Sequence, residues 1–138
     1  METAELLIIK AELTNDPLEL GLTTAAEDDE ANANLLNEIS DSIQVFKASV
    51  ASDEILVSPS EWAALSPAQQ GWWNNQTLDG TVKPSVIADG FYELFSANTA
   101  ARASFDSVSK EPASRARQLL NRYVTLTPSD ISQARVAT

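Results

Sequence analysis

The sequence predicts a mainly α-helical fold: a compact bundle of six to eight short helices with at most one short β segment. Two observations predict this class. Apolar residues recur every three or four positions in successive short segments, as in helices that bury one face. In addition, Ser58, Ser66 and Thr127 are each followed by proline and, three residues later, by Glu, Gln or Asp. That pattern places an N-cap, a proline at the first helical position and a capping-box partner at the third.

The first helix is predicted at residues 3–14. Leu6, Ile9 and Leu13 fall on one face of this segment at a spacing of 3.6 residues per turn. Pro17 follows closely and disfavours helical backbone in the residue before it, so we expect the helix to end there.

A second helix is predicted at residues 25–38, with Thr24 as its N-cap and an acidic first turn. Residues 15–30 are polar and weakly anchored, which leaves open an extended N-terminal arm. We therefore divide the chain into an acidic N-terminal helical segment or arm at 1–41 and a helical core domain at 42–138.

Beyond residue 41, one segment favours a strand and the rest favours helices. Ser42–Lys47 alternates polar and apolar residues, and a single short strand needs a pairing partner. Ile87, Phe91 and Leu94 give the clearest helical periodicity in the sequence. The helices are predicted at 59–65, 67–76, 84–97, 100–109, 112–122 and 128–136.

The net charge of −11 is distributed unevenly along the 138 residues. Residues 1–61 carry fourteen carboxylates against Lys10 and Lys47, a net charge of −12, whereas residues 62–138 carry +1. Because phosphate backbones and anionic lipids repel an acidic protein, we expect neither nucleic acid nor a membrane as a partner. The uneven charge leaves two interpretations: a solvated acidic surface, or an acidic half that contacts a more basic part of another copy.

The residues that most enzymes use for catalysis are scarce. The chain has no cysteine and no histidine, which excludes thiolate nucleophiles, imidazole bases and metal sites built on either ligand. The acidic run Glu27–Glu30 lacks the alternating spacing and the glycine of a calcium loop. The carboxylate pairs Asp53-Glu54 and Asp89 with Glu93 come without a pattern that indicates burial. We therefore expect no enzyme, no metal site and no cofactor.

The start of the sequence lacks the basic region of a secretory signal, and no apolar run approaches the roughly 20 residues that span a bilayer. We expect a protein that is made in the cytoplasm and stays soluble.

Three groups of side chains are candidates for a protein–protein interface. Two adjacent tryptophans on a helix point about 100° apart, so both cannot easily face one core. The acidic first turn and a basic C-terminal helix face are complementary in charge. The alternatives are tryptophans covered by neighbouring loops and a basic face that meets the acidic half of the same chain. The candidates are Trp72, Trp73, Glu27, Asp28, Asp29, Glu30, Arg115 and Arg122.

Four segments, in order, resemble small proteins encoded among the virion genes of tailed bacteriophages. Lys10–Leu22 (K-A-E-L-T-N-D-P-L-E-L-G-L) is similar to their opening pattern K-A-E-L-x-x-D-P-L-G-x-G-Y. A helix that ends in L-N (Ala33–Asn37) and a short β-like segment follow. Glu61–Gln70 resembles E-W-x-A-L-[ST]-x-A-[EQ]-[QR], and Ser114–Leu119 resembles S-R-A-x-x-L.

The chain departs from the opening pattern at Glu19, where the pattern prefers glycine, and at Leu22, where it prefers an aromatic residue. The resemblance implies a structural part of the virion at the head–tail connection (neck) or in the tail. It implies portal, neck or tail proteins as partners and a homo-oligomeric ring as the assembly. The alternative function is a small acidic phage protein that binds and modulates a host factor.

Overall fold

The computed structural model describes all residues, Met1–Thr138, and is 57% helical and 12% strand. Two 3₁₀ turns, at Ala26–Asp28 and Ser52–Glu54, complete the regular elements. The helices are α1 (Thr3–Asn15), α2 (Asp29–Asn37), α3 (Pro59–Ala63), α4 (Pro67–Gln76), α5 (Pro84–Leu94), α6 (Ala100–Ser109), α7 (Arg115–Leu120) and α8 (Pro128–Arg135). The strands are β1 (Ile39–Phe46), β2 (Val50–Ala51), β3 (Thr81–Val82) and β4 (Lys110–Ser114).

The fold is mixed α/β, so the predicted helix-only bundle with at most one short β segment is wrong. β1 pairs with β4, and β2 pairs with β3, each as a two-stranded antiparallel sheet. The sequence around Pro112 predicts a helix start, but Pro112 lies in β4. Both settings accept a residue with a fixed φ and no N–H donor, so the local pattern does not separate them.

Contacts divide the chain into two compact units. The composite unit consists of Met1–Gln44 and Pro112–Thr138, and the central unit consists of Val45–Glu111. This division differs from the sequence-based boundary after residue 41, which places residues 112–138 in one domain with the middle of the chain.

In the composite unit, α1 and α2 pack against α7 and α8. Ile9, Leu36 and Ile131 are completely buried in its core. Of the two alternatives for the N-terminal segment, α1 and α2 therefore form packed helices rather than an extended arm. The apolar face of α1 is covered by helices that lie more than a hundred residues away in sequence, and local patterning contains no information on that pairing.

The central unit has a separate core built around Phe91, which is fully buried on α5. The Phe91 ring stacks on Phe105 of α6 at 4.6 Å and meets the edge of Trp73 of α4 at 5.2 Å. In the short β2–β3 ladder, Val50 lies opposite Val82. Both valines are buried in the same core.

Helix starts that depend on local capping are confirmed. Ser58, Ser66 and Thr127 each accept a hydrogen bond from the third helical N–H, and the side chain at that third position accepts one from the cap backbone N–H. The prediction that Thr24 caps the second helix is wrong. A 3₁₀ turn follows Thr24, and α2 begins only after Asp28.

The half-buried ring of Trp72 lies against Gly90, where α4 and α5 pack together. A Cβ built on Gly90 would sit 2.3 Å from Trp72 Cζ2, far inside van der Waals contact. Gly71, also inside a helix, has no atom within 4 Å of its Cβ position. Position 90 therefore needs a glycine, because the Trp72 ring lies directly against the backbone of α5 there.

We expect Gly90→Ala to destabilise the protein by about 1–3 kcal/mol, because the methyl group forces the Trp72 ring out of place. The matched control Gly71→Ala should be neutral or stabilising by about 0.5–1 kcal/mol, since alanine favours helix and nothing opposes it. Urea denaturation measures both changes. Equal effects of the two substitutions would contradict the steric explanation.

Candidate interaction surfaces

Glu12 on α1 and Arg115 at the start of α7 form the most buried ion pair of the composite unit. Their side chains are 4% and 14% exposed, and Arg115 donates from Nε to Glu12 Oε1 at 2.6 Å and from Nη2 to Oε2 at 2.9 Å. A two-pronged arginine–carboxylate contact fixes both position and orientation. Ser114 caps α7 directly before this arginine by accepting from the N–H of Arg117.

A second arginine–glutamate pair lies seven residues earlier on α1, at Glu5. Arg122 donates from Nε to Glu5 Oε2 at 2.8 Å. α7 ends at Leu120, so Arg122 lies beyond the helix rather than on one helix face with Arg115 as predicted. The two glutamates and the two arginines are each seven residues apart and are matched in antiparallel order.

A third pair joins the acidic first turn of α2 to α8. Arg135 donates from Nε to Asp29 Oδ1 at 2.7 Å and from Nη2 to Oδ2 at 2.9 Å. Hydrogen bonding to Arg135 holds the pKa of Asp29 below its ordinary value, and hydrogen bonding to Arg122 does the same for Glu5. The basic C-terminal residues thus meet the acidic half of the same chain, as the alternative interpretation of the charge pattern had it.

The four acidic candidates have different surroundings. Asp29 is held by Arg135, and Asp28 accepts a hydrogen bond from the Thr23 hydroxyl at 2.7 Å. Glu27 and Glu30 are exposed. Only two of the four carboxylates therefore point freely to solvent, and an interface role for the group stays a prediction.

The tryptophan pair packs against the core of the central unit. Trp73 is buried, and the half-buried Trp72 lies with its ring centroid 6.3 Å from that of Trp73. A groove of about 260 Å³ beside Trp72 is lined by Ala68, Gln69, Gly90, Glu93 and Leu94. An interface role for Trp72 and Trp73 also stays a prediction.

The motifs of the phage resemblance supply contacts between distant parts of the chain, which sequence reasoning missed. Glu12 of the opening motif binds Arg115 of the S-R-A-x-x-L motif. Asn37, which ends the L-N motif, donates to the Leu126 carbonyl and accepts from its N–H, both at 2.8 Å. Glu61 accepts from the Ala101 N–H at 2.9 Å. The sequence carried no signal for these contacts, because each motif contains several polar residues and none of them specifies a distant partner.

Asp16 organises the loop after α1. Its carboxylate accepts hydrogen bonds from the N–H groups of Leu20, Gly21 and Leu22 at 2.8–3.2 Å. Desolvation acts to raise the pKa of Asp16, but the three donors outweigh it and lower the pKa. Gly21 has φ +92° and Glu19 has φ +55°. Glu19 thus adopts the left-handed backbone that glycine favours, at the position where the resembled pattern has glycine.

α1 presents a second apolar face that the composite unit leaves uncovered. Ile9 and Leu13 are buried, whereas Leu7 and Ile8 are 41% and 39% exposed. Ala4 and Ala11 are exposed on the same side. A helix that is apolar on both faces is usually enclosed by further protein.

The two carboxylate pairs and Tyr92 are the side chains considered for acid–base chemistry. The carboxylate pairs Asp53-Glu54 and Asp89 with Glu93 are exposed, and no three acidic residues are grouped to hold a metal ion. Burial, followed by the hydrogen bond to Asp106, raises the pKa of Tyr92 to about 12, so its hydroxyl is no base at neutral pH.

A groove of the composite unit, about 350 Å³, combines an apolar wall with two charged side chains. It is lined by Leu18, Leu20, Leu35, Glu38, Ser40, Ser42, Ile43 and Arg115. Arg115 is already engaged by Glu12.

None of the helices combines the length and apolar character needed to cross a bilayer.

Comparison of the chain with known protein families, with curated proteins and with solved structures finds no match.

We expect Glu12→Ala to destabilise the protein by about 3–5 kcal/mol, because it leaves the largely buried guanidinium of Arg115 without a counter-charge, with only the Gln118 side-chain oxygen to accept from it. Replacing both residues, Glu12→Leu with Arg115→Met, should restore most of the loss. Glu5→Gln should cost less than Glu12→Ala, since Arg122 is 47% exposed and water solvates it. Chemical denaturation and a double-mutant cycle measure these effects. A double variant no better than Glu12→Ala would contradict the ion-pair explanation.

The lowered pKa values of Glu5 and Asp29 predict a loss of stability in acid. Their ion pairs stabilise the fold fully above the unfolded pKa values of about 4, and this contribution is lost as the pH falls through the lower folded values. Urea midpoints measured from pH 7 to pH 3 should therefore fall below about pH 5. Arg135→Gln should weaken this dependence, because Asp29 then titrates normally, while Lys83→Gln at an exposed site should leave it unchanged. An unchanged slope in Arg135→Gln would contradict the assignment.

We expect Glu19→Gly to stabilise the protein by up to about 1 kcal/mol, because glycine adopts the left-handed backbone without steric cost. Glu19→Ala keeps the Cβ while removing the carboxylate, so it should bring no such gain. Gly21→Ala should destabilise by about 1 kcal/mol or more, since its φ disfavours a side chain. Thermal denaturation of the three variants tests the loop geometry, and a gain in Glu19→Ala equal to that of glycine would point to charge instead.

Proposed function

We propose that this protein is a non-enzymatic structural subunit of a tailed-phage particle, at the head–tail connection or in the tail. The observation that carries the proposal is the ordered set of four virion-gene motifs together with the contacts their polar residues make. The glutamate of the first motif binds the arginine of the last, and the asparagine of the second holds Leu126. Residues that define the resemblance are thus residues on which the fold depends.

The left-handed backbone at Glu19 supports the same proposal. The resembled pattern has glycine there, and the φ of +55° is the conformation that glycine favours. Sequence pattern and backbone geometry agree at this position, although the side chain present differs.

The proposed subunit acts through contacts with other copies and with neighbouring portal, neck or tail proteins. Arg115 and Arg122 already bind carboxylates of their own chain. We therefore do not favour a contact in which these arginines bind the acidic face of another copy. The uncovered apolar face of α1 is a better candidate for a contact between proteins.

The alternative, an acidic protein that binds a host factor, has less support from the contacts observed. It depends on the cluster at Glu27–Glu30, where Asp29 is neutralised by Arg135 and Asp28 is hydrogen-bonded to Thr23.

The test is quantitative mass spectrometry of particles of the phage that encodes the chain. We expect several or more copies per purified particle, and particles made without the gene should show unjoined heads and tails or defective tails by electron microscopy. Absence from purified particles would overturn the proposal. Recovery from infected cells with a stoichiometric basic host protein, lost in Glu27→Gln/Glu30→Gln, would favour the alternative.

A further inference from the structure

α1 carries two apolar stripes on opposite sides. The inner stripe contains Ile9 and Leu13 and is buried in the composite unit. The outer positions 4, 7, 8 and 11 follow the spacing i, i+3, i+4, i+7, which brings side chains together on one helix face. All four side chains at these positions are exposed. The outer stripe is therefore a continuous apolar row that remains partly exposed in the single chain, with Leu7 at 41% and Ile8 at 39%.

The outer stripe is also electrically neutral, although the chain has a net charge of −11. The charged residues of α1 are Glu5, Lys10 and Glu12. Arg122 and Arg115 neutralise the two glutamates, and Lys10 Nζ donates to the Ala137 carbonyl at 2.8 Å. The repulsion expected between two acidic chains is thus reduced at this helix, and the stripe itself contains no charged residue that would have to be buried.

Side-chain sizes along the stripe follow a symmetric order, small, large, large, small, in the residues Ala4, Leu7, Ile8 and Ala11. A two-fold axis between Leu7 and Ile8 places small residues opposite small ones and large opposite large. An antiparallel arrangement also sets the positive end of one helix dipole beside the negative end of the other. A surface that matches itself under a two-fold rotation is suited to isologous pairing.

We propose that the outer face of α1 docks on the same face of a second copy of this chain, in antiparallel orientation. Ala4 then lies against Ala11 of the partner subunit, and Leu7 lies against Ile8 of the partner subunit. One 13-residue helix pair buries far less than a standard interface, so this contact is a weak, reversible dimer that other contacts reinforce. It names one surface for the proposed virion subunit and rests on that proposal for its biological setting only.

The chain has no cysteine, so a single introduced thiol reports on this contact alone. Full-length Ala4→Cys and Ala11→Cys chains are oxidised separately and as an equal mixture. In the antiparallel pair, position 4 of one copy lies about 10 Å along the axis from position 4 of the other, too far for a disulfide. We expect covalent dimer in the mixture at about ten times the yield of either chain alone.

The control for random collision is Val86→Cys, which is 71% exposed on α5 of the central unit. It should give no more dimer, alone or mixed with Ala4→Cys, than the separate α1 variants. Efficient dimer from Ala4→Cys alone would mean a parallel pair and would overturn the proposal. No enrichment in the Ala4→Cys and Ala11→Cys mixture would also overturn it.

Sedimentation equilibrium of the cysteine-free chain supplies an independent readout. Leu7→Glu buries a charge in the contact and should weaken association about tenfold or more, whereas Val86→Glu should not change it. Circular dichroism checks that both variants remain folded. A dimer unaffected by Leu7→Glu would overturn the α1 contact. Detection in virions would still stand in that case, so failure here is distinct from failure of the proposed function.

Discussion

The constraint that shapes the composite unit is that the buried charges of Glu12 and Arg115, 103 residues apart in sequence, must meet when the first helix packs against the seventh. Its two parallel hydrogen bonds and near-complete burial fix where α7 begins relative to α1. The Glu5–Arg122 pair repeats the contact at the matching seven-residue interval. Ile9, Leu36 and Ile131 can then fill one core, because the charged groups that flank it are satisfied.

This arrangement changes the meaning of the charge pattern. An acidic first half and a basic C-terminal end suggest two surfaces that attract each other between copies. In the folded chain the opposite charges meet inside one molecule, and each arginine that binds a carboxylate is no longer available to a partner. What remains uncovered on α1 is apolar and neutral, so contacts between copies depend on hydrophobic burial rather than on charge.

Local features were the predictable part of the fold. The capping boxes at Ser58, Ser66 and Thr127 appear as expected, since each is completed within four residues. β4 was missed because a proline suits a helix start and an edge strand equally. The short β2–β3 ladder was missed because two-residue strands have no periodicity and are created by the pairing itself. The candidate site residues were found by charge and residue type, but their partners were not.

The sequence by itself determined where most helices begin, which residues face a core, and that thiol and imidazole groups are absent, because these follow from capping, periodicity and composition. Only the tertiary structure decided that residues 112–138 pack with α1 and α2, and that the basic residues there meet the acidic ones of the same chain. The physical reason is that a charge or an apolar stripe specifies the kind of partner it needs. Which of several distant partners it meets depends on how all the helices pack at once.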